Sequence, residues 1–118
     1  LLVINIHAIN SVPWFLLARQ IKQAGRKIKK HNGPVIFAGD FNTWTKRKTR
    51  YVKKYLTSLG MEEVVFPNGD DRMKSAMTKM VLDYIWIKGE NIKVKDFSCF
   101  GTEKESDHKG LKVSLDIS

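Results

Sequence analysis

Apolar and polar positions change period several times along the 118 residues, and each period predicts an element. Leu1 to Ala8 is largely apolar, weakly alternating and β-branched in places, which predicts a buried strand. Ser11 and Pro13 then read as a helix start, with Ser11 as cap and Pro13 in the first turn. From Trp14, apolar residues recur at Leu17, Ile21, Ala24 and Ile28, the spacing of an amphipathic helix. Asn32, Gly33 and Pro34 end it. Val35 to Ala38 is a second buried strand. Thr45 to Leu59 predicts a second helix, with Val52, Tyr55, Leu56 and Leu59 inward and Gly60 closing it. Glu62 to Phe66 reads as a short strand and PNGDDR as a turn-rich loop. Met80 to Ile87 is a strongly apolar strand interrupted only by Asp83. Its apolar side chains point both ways, Val81, Ile85 and Ile87 against Leu82, Tyr84 and Trp86, so one face expects a partner sheet. Gly89 to Asn91 turns the chain into a strand from Ile92 to Phe100. After the polar loop Gly101 to Gly110, Leu111, Val113, Leu115 and Ile117 alternate with polar residues as a half-exposed strand. The order is β-α-β-α-β-β-β-β, an α/β (α+β) chain that opens on a helix-covered β-α-β unit and continues with strands suited to antiparallel pairing.

Charge divides the chain unevenly. Leu1 to Met61 holds 12 of the 21 Lys and Arg residues and a single acid, Asp40. The other 11 acids follow, from Glu62 onward. The net charge of +9 favours an anionic partner: nucleic acid, a phosphorylated metabolite or an acidic lipid surface. The Lys and Arg rows on the two helices read as solvated faces. A length of 118 residues allows one domain at most. Cys99 is the single cysteine, so an internal disulfide is excluded. No apolar run approaches the roughly 20 residues of a membrane-spanning helix, and no signal-peptide pattern is visible. The compartment stays open on these grounds, with the cytoplasm favoured. A chain that opens in mid-strand reads as the remainder of something longer.

Polar residues break or follow the apolar strands at four places: NIH (Asn5, His7), GDFN (Asp40, Asn42), LDYI (Asp83) and SDH (Asp107, His108). Asn5 and His7 share a side of their strand, and so would Asp40 and Asn42 if the second strand ran that far. A carboxylate on a buried strand costs several kcal/mol unless a cation or hydrogen-bonding partner offsets it. Gly39 lets the chain turn or a ligand approach closely. Each element alone has an ordinary reading: a turn pair, a core histidine, an ion pair, a loop. Four strand ends that each supply Asp, Asn or His suggest one shared edge where they converge.

In that order, NIH, GDFN, LDYI and SDH resemble the endonuclease/exonuclease/phosphatase superfamily, which includes exonuclease III-like repair nucleases, deoxyribonuclease I, sphingomyelinases and inositol polyphosphate 5-phosphatases. The nearest likeness is to a poorly characterised bacterial branch. The resemblance covers essentially the whole chain and places residues 1–118 as the C-terminal portion of a single such domain, half of a four-layer αββα sandwich. It implies a phosphoester hydrolase that uses Mg²⁺ or Mn²⁺ and takes a phosphorylated substrate, with DNA or RNA as the first choice. It implies that Asp40 orients or deprotonates the attacking water and that Asn42 holds the scissile phosphate. His108 would contact a phosphate oxygen, with Asp83 fixing His108. His7 would hydrogen-bond phosphate or assist the leaving group. Asp107, with Asp40 and Asn42, would hold the metal. The superfamily's N-terminal half supplies an Asn and a metal-binding Glu. Glu62, Glu63 and Glu90 do not sit in the matching context, so the expected partner is the N-terminal half of the same domain. Without it, one partner sheet is expected to be missing and an apolar face of Met80 to Ile87 uncovered, so that the chain is inactive and self-associates. A different class, a non-catalytic basic nucleic-acid-binding module, would use the Lys and Arg rows on phosphates. Asp40 and Asp83 would then repel its ligand, so metal dependence separates the two.

Overall fold

The computed structural model describes residues 1–65, 72, 80–101, 108 and 110–117. Its elements are β1 (Leu2–His7), α1 (Trp14–Lys30), β2 (Val35–Asp40), α2 (Lys46–Ser58), β3 (Glu62–Glu63), β4 (Asp83–Lys88), β5 (Ile92–Phe100) and β6 (Gly110–Ile117). Four strands form one sheet in the order β1-β2-β4-β3, and β5 and β6 form a second, two-stranded sheet. β1 and β2 run parallel, joined by α1, while β4 is antiparallel to β2 and β3.

The period-2 pattern decides which side chains meet which layer. Phe37, Tyr84 and Trp86 pack with Leu17, Ile21 and Ile28 of α1 and with Val52 and Leu56 of α2. Ile36, Ala38, Ile85 and Ile87 pack instead with Phe97, Cys99, Leu111, Val113 and Leu115 of the β5–β6 hairpin. The described residues thus supply three layers: helices, a sheet and a facing sheet. Both faces of β4 are covered, so the expectation that the missing half supplies its partner sheet is corrected: the chain's own β5–β6 hairpin does, because Ile85 and Ile87 pack on Phe97, Leu111, Val113 and Leu115. No helix among the described residues is long and apolar enough to cross a membrane.

Several boundaries depart from the sequence expectation. β1 is an edge strand of its sheet rather than a buried one. Leu2, Ile4 and Ile6 pack inward, but Val3, Asn5 and His7 are exposed, because the hairpin stands over β2 and β4. Ser11 does not cap α1. It takes a left-handed φ of 55°, and Pro13 occupies the cap position without a side-chain bond. α2 does have a side-chain cap: the Lys48 N–H donates to Thr45 Oγ1 at 3.1 Å. β3 is two residues long, and Phe66 lies outside the described residues. β4 begins at Asp83, so this acid starts the strand rather than interrupting it.

Gly39 lies inside β2, with φ 139°. A Cβ built there would stand 2.0 Å from the Ile6 carbonyl oxygen. The close approach that requires glycine is therefore that of the β1 backbone. It lets β1 and β2 stay paired up to their last residues.

Candidate active site

Strand register assembles the site. His7 pairs with Asp40 across β1 and β2, and Asp40 pairs with Asp83 across β2 and β4. Directly opposed residues point to the same face of a sheet. Three side chains therefore stand in one row across three strands, on the face that carries the hairpin. His108, two residues before β6, reaches the same row. Its Nδ1 lies 2.7 Å from Asp83 Oδ2 and its Nε2 lies 3.6 Å from Asp40 Oδ2. His7 Nε2 stands 3.9 Å from the same Asp40 oxygen. Together with Asn5, Tyr84 and Leu111 these residues line an open cavity of about 440 Å³.

The apolar residue inside GDFN explains how a carboxylate is held at the end of a greasy strand. Phe41 is fully buried, 5.0 Å from the Phe37 ring and edge-on to Tyr84 at 5.6 Å. Burying it contributes about 1.5–3 kcal/mol and pins the residues on either side. Asp40 Oδ1 accepts the Asn42 N–H at 2.9 Å, closing an Asx turn. Asn42 takes a left-handed φ of 49°, which asparagine tolerates better than most residues. β2 has ended by then, so Asn42 does not share Asp40's side. Its side chain is buried, its amide donates to the Ala8 carbonyl, and its Oδ1 accepts the Trp44 indole N–H at 3.1 Å. Asn42 is not among the residues that line the cavity. Asp107 lies outside the described residues.

Asp83 is supported from behind. Arg72, itself buried, pairs with Glu63 at 3.1 Å, reaches the Asp83 carbonyl at 3.4 Å and lies over the Tyr84 ring. The Asp83 carboxyl is held above the usual carboxylate range, chiefly because burial disfavours its charge. The His108 bond opposes that rise, the Asp40 carboxylate adds to it, and Arg72 opposes it. The oxygen and nitrogen ligand atoms of Asp40, Asp83 and His108 lie within 4.8 Å of one another, a spacing that suits one cation.

A sequence profile described as the endonuclease/exonuclease/phosphatase family matches residues 3–108. The chain belongs to this family. A UPF0294 protein of Yersinia enterocolitica is 37% identical over 116 residues, covering 98% of this chain and 42% of that protein. Among solved members of the same fold, an endonuclease/exonuclease/phosphatase from Bacteroides vulgatus superposes with a TM-score of 0.69 at 20% identity, over 91% of this chain and 46% of its own. The human Nocturnin catalytic domain, solved with a bound sulfate anion, gives 0.61 at 18% identity, over 98% and 46%. The chain thus spans under half the length of these relatives.

Within this family chain, the row of His7, Asp40 and Asp83 with His108 joins four residues singled out from the sequence. The sequence carries no reading of Arg72, and Lys48, which belongs to the helix rows read as solvated faces, is buried instead. Lys48 was legible in principle: it stands four residues before Val52 and eight before Leu56, on the inward stripe of α2.

Asp83 yields a stability prediction. A carboxyl whose folded pKa is raised contributes most below its unfolded value of about 3.8, and that contribution is lost as pH rises through the folded value. Asp83→Asn should therefore melt at or above the wild-type temperature at pH 7, with the advantage shrinking toward pH 4. Thermal melts across that interval check the sign. A mutant that is least stable relative to wild type at pH 7 would contradict it.

Proposed function

We propose that this chain carries the C-terminal part of a metal-dependent phosphoester hydrolase, with nucleic acid as the first substrate class. The observation that carries the reading is the juxtaposition of Asp40, Asp83 and His108 at the end of a register-aligned strand row, in an open cavity. Family membership and the net charge of +9 support it.

The donor set fits a hard divalent cation. Asp40 and Asp83 offer carboxylate oxygens within reach of one another, and magnesium or manganese takes such a pair while keeping positions for water and phosphate. Asp107, next to His108 in sequence, is a further carboxylate for the same role, and residues of the longer domain add to it. When bound, the cation neutralises charge that develops on the phosphoryl oxygens.

The chain's own groups carry the rest. Asp40 accepts a proton from the attacking water as its oxygen bonds to phosphorus. The phosphorus–oxygen bond to the leaving group breaks, and that oxygen receives a proton. His7 is placed for this donation: its side chain is 82% exposed at the rim and its Nε2 faces Asp40. The short bond to Asp83 fixes the ring of His108, with Nδ1 donating to the carboxylate, and turns Nε2 toward the cavity, where the imidazolium form donates to a phosphoryl oxygen. Asn42 orients Asp40 through its backbone N–H. For its amide to hold phosphate as well, it must leave the Ala8 carbonyl.

The test uses the full-length protein with bis(p-nitrophenyl) phosphate and a single-stranded oligonucleotide. Chelation should abolish turnover, and Mg²⁺ or Mn²⁺ should restore it. Turnover that survives chelation would refute metal dependence. Tight oligonucleotide binding without cleavage under any cation would favour the basic binding module instead.

A further inference from the structure

The helix layer carries the least balanced charge of the fold. Every charged side chain on α1 and α2 is a Lys or Arg, and neither helix contains an acid. Lys22, Arg26 and Lys30 form one exposed row on α1, and Lys46, Arg50 and Lys54 form another on α2. Steps of four residues set the charges of a row about 6 Å apart along the axis. Like charges at that spacing destabilise a helix. Lys30, in the last turn of α1, is favoured by the helix dipole, but Lys46 and Arg47 open α2 at its positive end, where an acid is favoured. A face that serves solubility alone mixes both signs, and glutamate, as good a helix former as lysine, would relieve the repulsion. Among the described residues, the ion pairs of these exposed bases reduce to one, Lys53 with Glu63 at 3.5 Å. Lys29 and Arg47 lie over the rings of Tyr55 and Trp14, which hold the cations without neutralising them.

The layer is continuous with the catalytic edge and distinct from it. Asp40 and Asp83 face the hairpin, on the other side of the sheet. α1 and α2 begin a few residues after His7 and Asp40, so both start at the edge that carries the site and run back along the sheet. Over its 17 residues α1 extends the basic surface by about 25 Å. The partner that fits is therefore long as well as anionic. A helix that lies on a bilayer buries an apolar face in it. Here those faces are used in the core, by Leu17, Ile21 and Ile28 of α1 and Val52 and Leu56 of α2. Among the described residues, Phe15 is the one large apolar side chain that either helix exposes. A polar, purely cationic face of that kind suits a phosphodiester backbone.

We infer that the outer face of α1 and α2 binds a nucleic-acid strand through its phosphates, without regard to sequence, and holds the part of a long substrate that lies outside the catalytic cavity. The inference deepens the phosphoester reading above and rests on it for the role of the surface, while the binding itself needs no catalysis.

The test uses the full-length protein and two triple variants that each remove three charges. One is Lys22→Gln, Arg26→Gln, Arg50→Gln on the helix layer; the other is Lys93→Gln, Lys95→Gln, Lys112→Gln on the hairpin. Binding of a labelled oligothymidylate of about 20 nucleotides is followed by fluorescence anisotropy in chelating buffer as salt is raised. The helix variant should bind about tenfold or more weakly at low salt, and its plot of log affinity against log salt should be shallower by about 2, as for three lost phosphate contacts on a single strand. The hairpin variant should stay close to wild type. Turnover of bis(p-nitrophenyl) phosphate should be unchanged in the helix variant, and its melting temperature should not fall, because like-charge neighbours are relieved. Absence of oligonucleotide binding by wild type, an equal loss in both variants, or an unchanged salt slope in the helix variant would overturn the surface. So would a helix variant that loses small-diester turnover in step with binding. Vesicles of phosphatidylcholine and phosphatidylserine in equal parts are the competing ligand: helix-dependent vesicle binding with oligonucleotide binding intact would overturn the inference in favour of a lipid surface. Helix-dependent oligonucleotide binding in a protein that hydrolyses neither diester nor oligonucleotide would uphold the surface and discard the phosphoesterase reading.

Discussion

Asp40→Asn should lower turnover of a phosphodiester by about 10²–10⁴-fold, the usual worth of a positioned general base, while leaving the fold intact. The local geometry makes this variant informative. Asp40 Oδ1 accepts the Asn42 N–H, and the asparagine oxygen can accept the same bond, so the turn after β2 survives. Phe41 stays anchored against Phe37 and Tyr84. What the substitution removes lies on the other oxygen, which faces His7 Nε2 at 3.9 Å and His108 Nε2 at 3.6 Å. An amide there neither accepts a proton from water nor offers a charge to a cation. Steady-state kinetics of the full-length protein, with circular dichroism melts as control, measure both parts. Near-normal kcat in a folded Asp40→Asn protein would remove Asp40 from the chemistry.

The strand row was half legible in the sequence. Period-2 alternation assigns Asp83 to the side of Ile85 and Ile87, and Asn5 to the side of His7, because side-chain direction within a strand is a local property. Which residues face each other across strands is not local. The pairing of His7 with Asp40, and of Asp40 with Asp83, depends on register, which packing and the Gly39 contact set in three dimensions. For the same reason β1 reads as buried from its composition: whether a neighbour covers Val3, Asn5 and His7 is a question of topology. Asn42 shows a further limit. The expected shared side with Asp40 held only if the strand continued, and an Asx turn with a left-handed asparagine ended it. Lys48 is the reverse case. The heptad-like stripe was present in the sequence, but a lysine reads as surface unless its register against Val52 and Leu56 is given precedence over its charge.

His108 and Asp83 should behave as one unit. His108→Ala should lower turnover by about 10²–10³-fold, since it removes a donor aimed where charge develops on the phosphate. Asp83→Asn should cost a substantial part of the same factor, although the carboxyl is only 11% exposed at the base of the cavity. Its 2.7 Å bond from Nδ1 favours the imidazolium and fixes its orientation, with the Nε2–H turned toward Asp40 and the cavity. Once the imidazole is gone, Asp83 has nothing left to orient. The double variant should therefore be little slower than His108→Ala alone, a coupling visible in a double-mutant cycle on kcat. Asp83→Asn should also change the pH dependence of kcat, whereas a merely structural acid would leave that profile in place. Arg72 and Glu63 provide the internal control. They support the Asp83 backbone from behind, and Glu63→Gln, which breaks the pair but keeps the Arg72 charge that bears on the Asp83 carboxyl, should lower stability without reproducing the pH change. If the two single effects multiply in full, His108 and Asp83 act independently. Asp83 would then serve the cation alone, and the orientation of His108 would need another source.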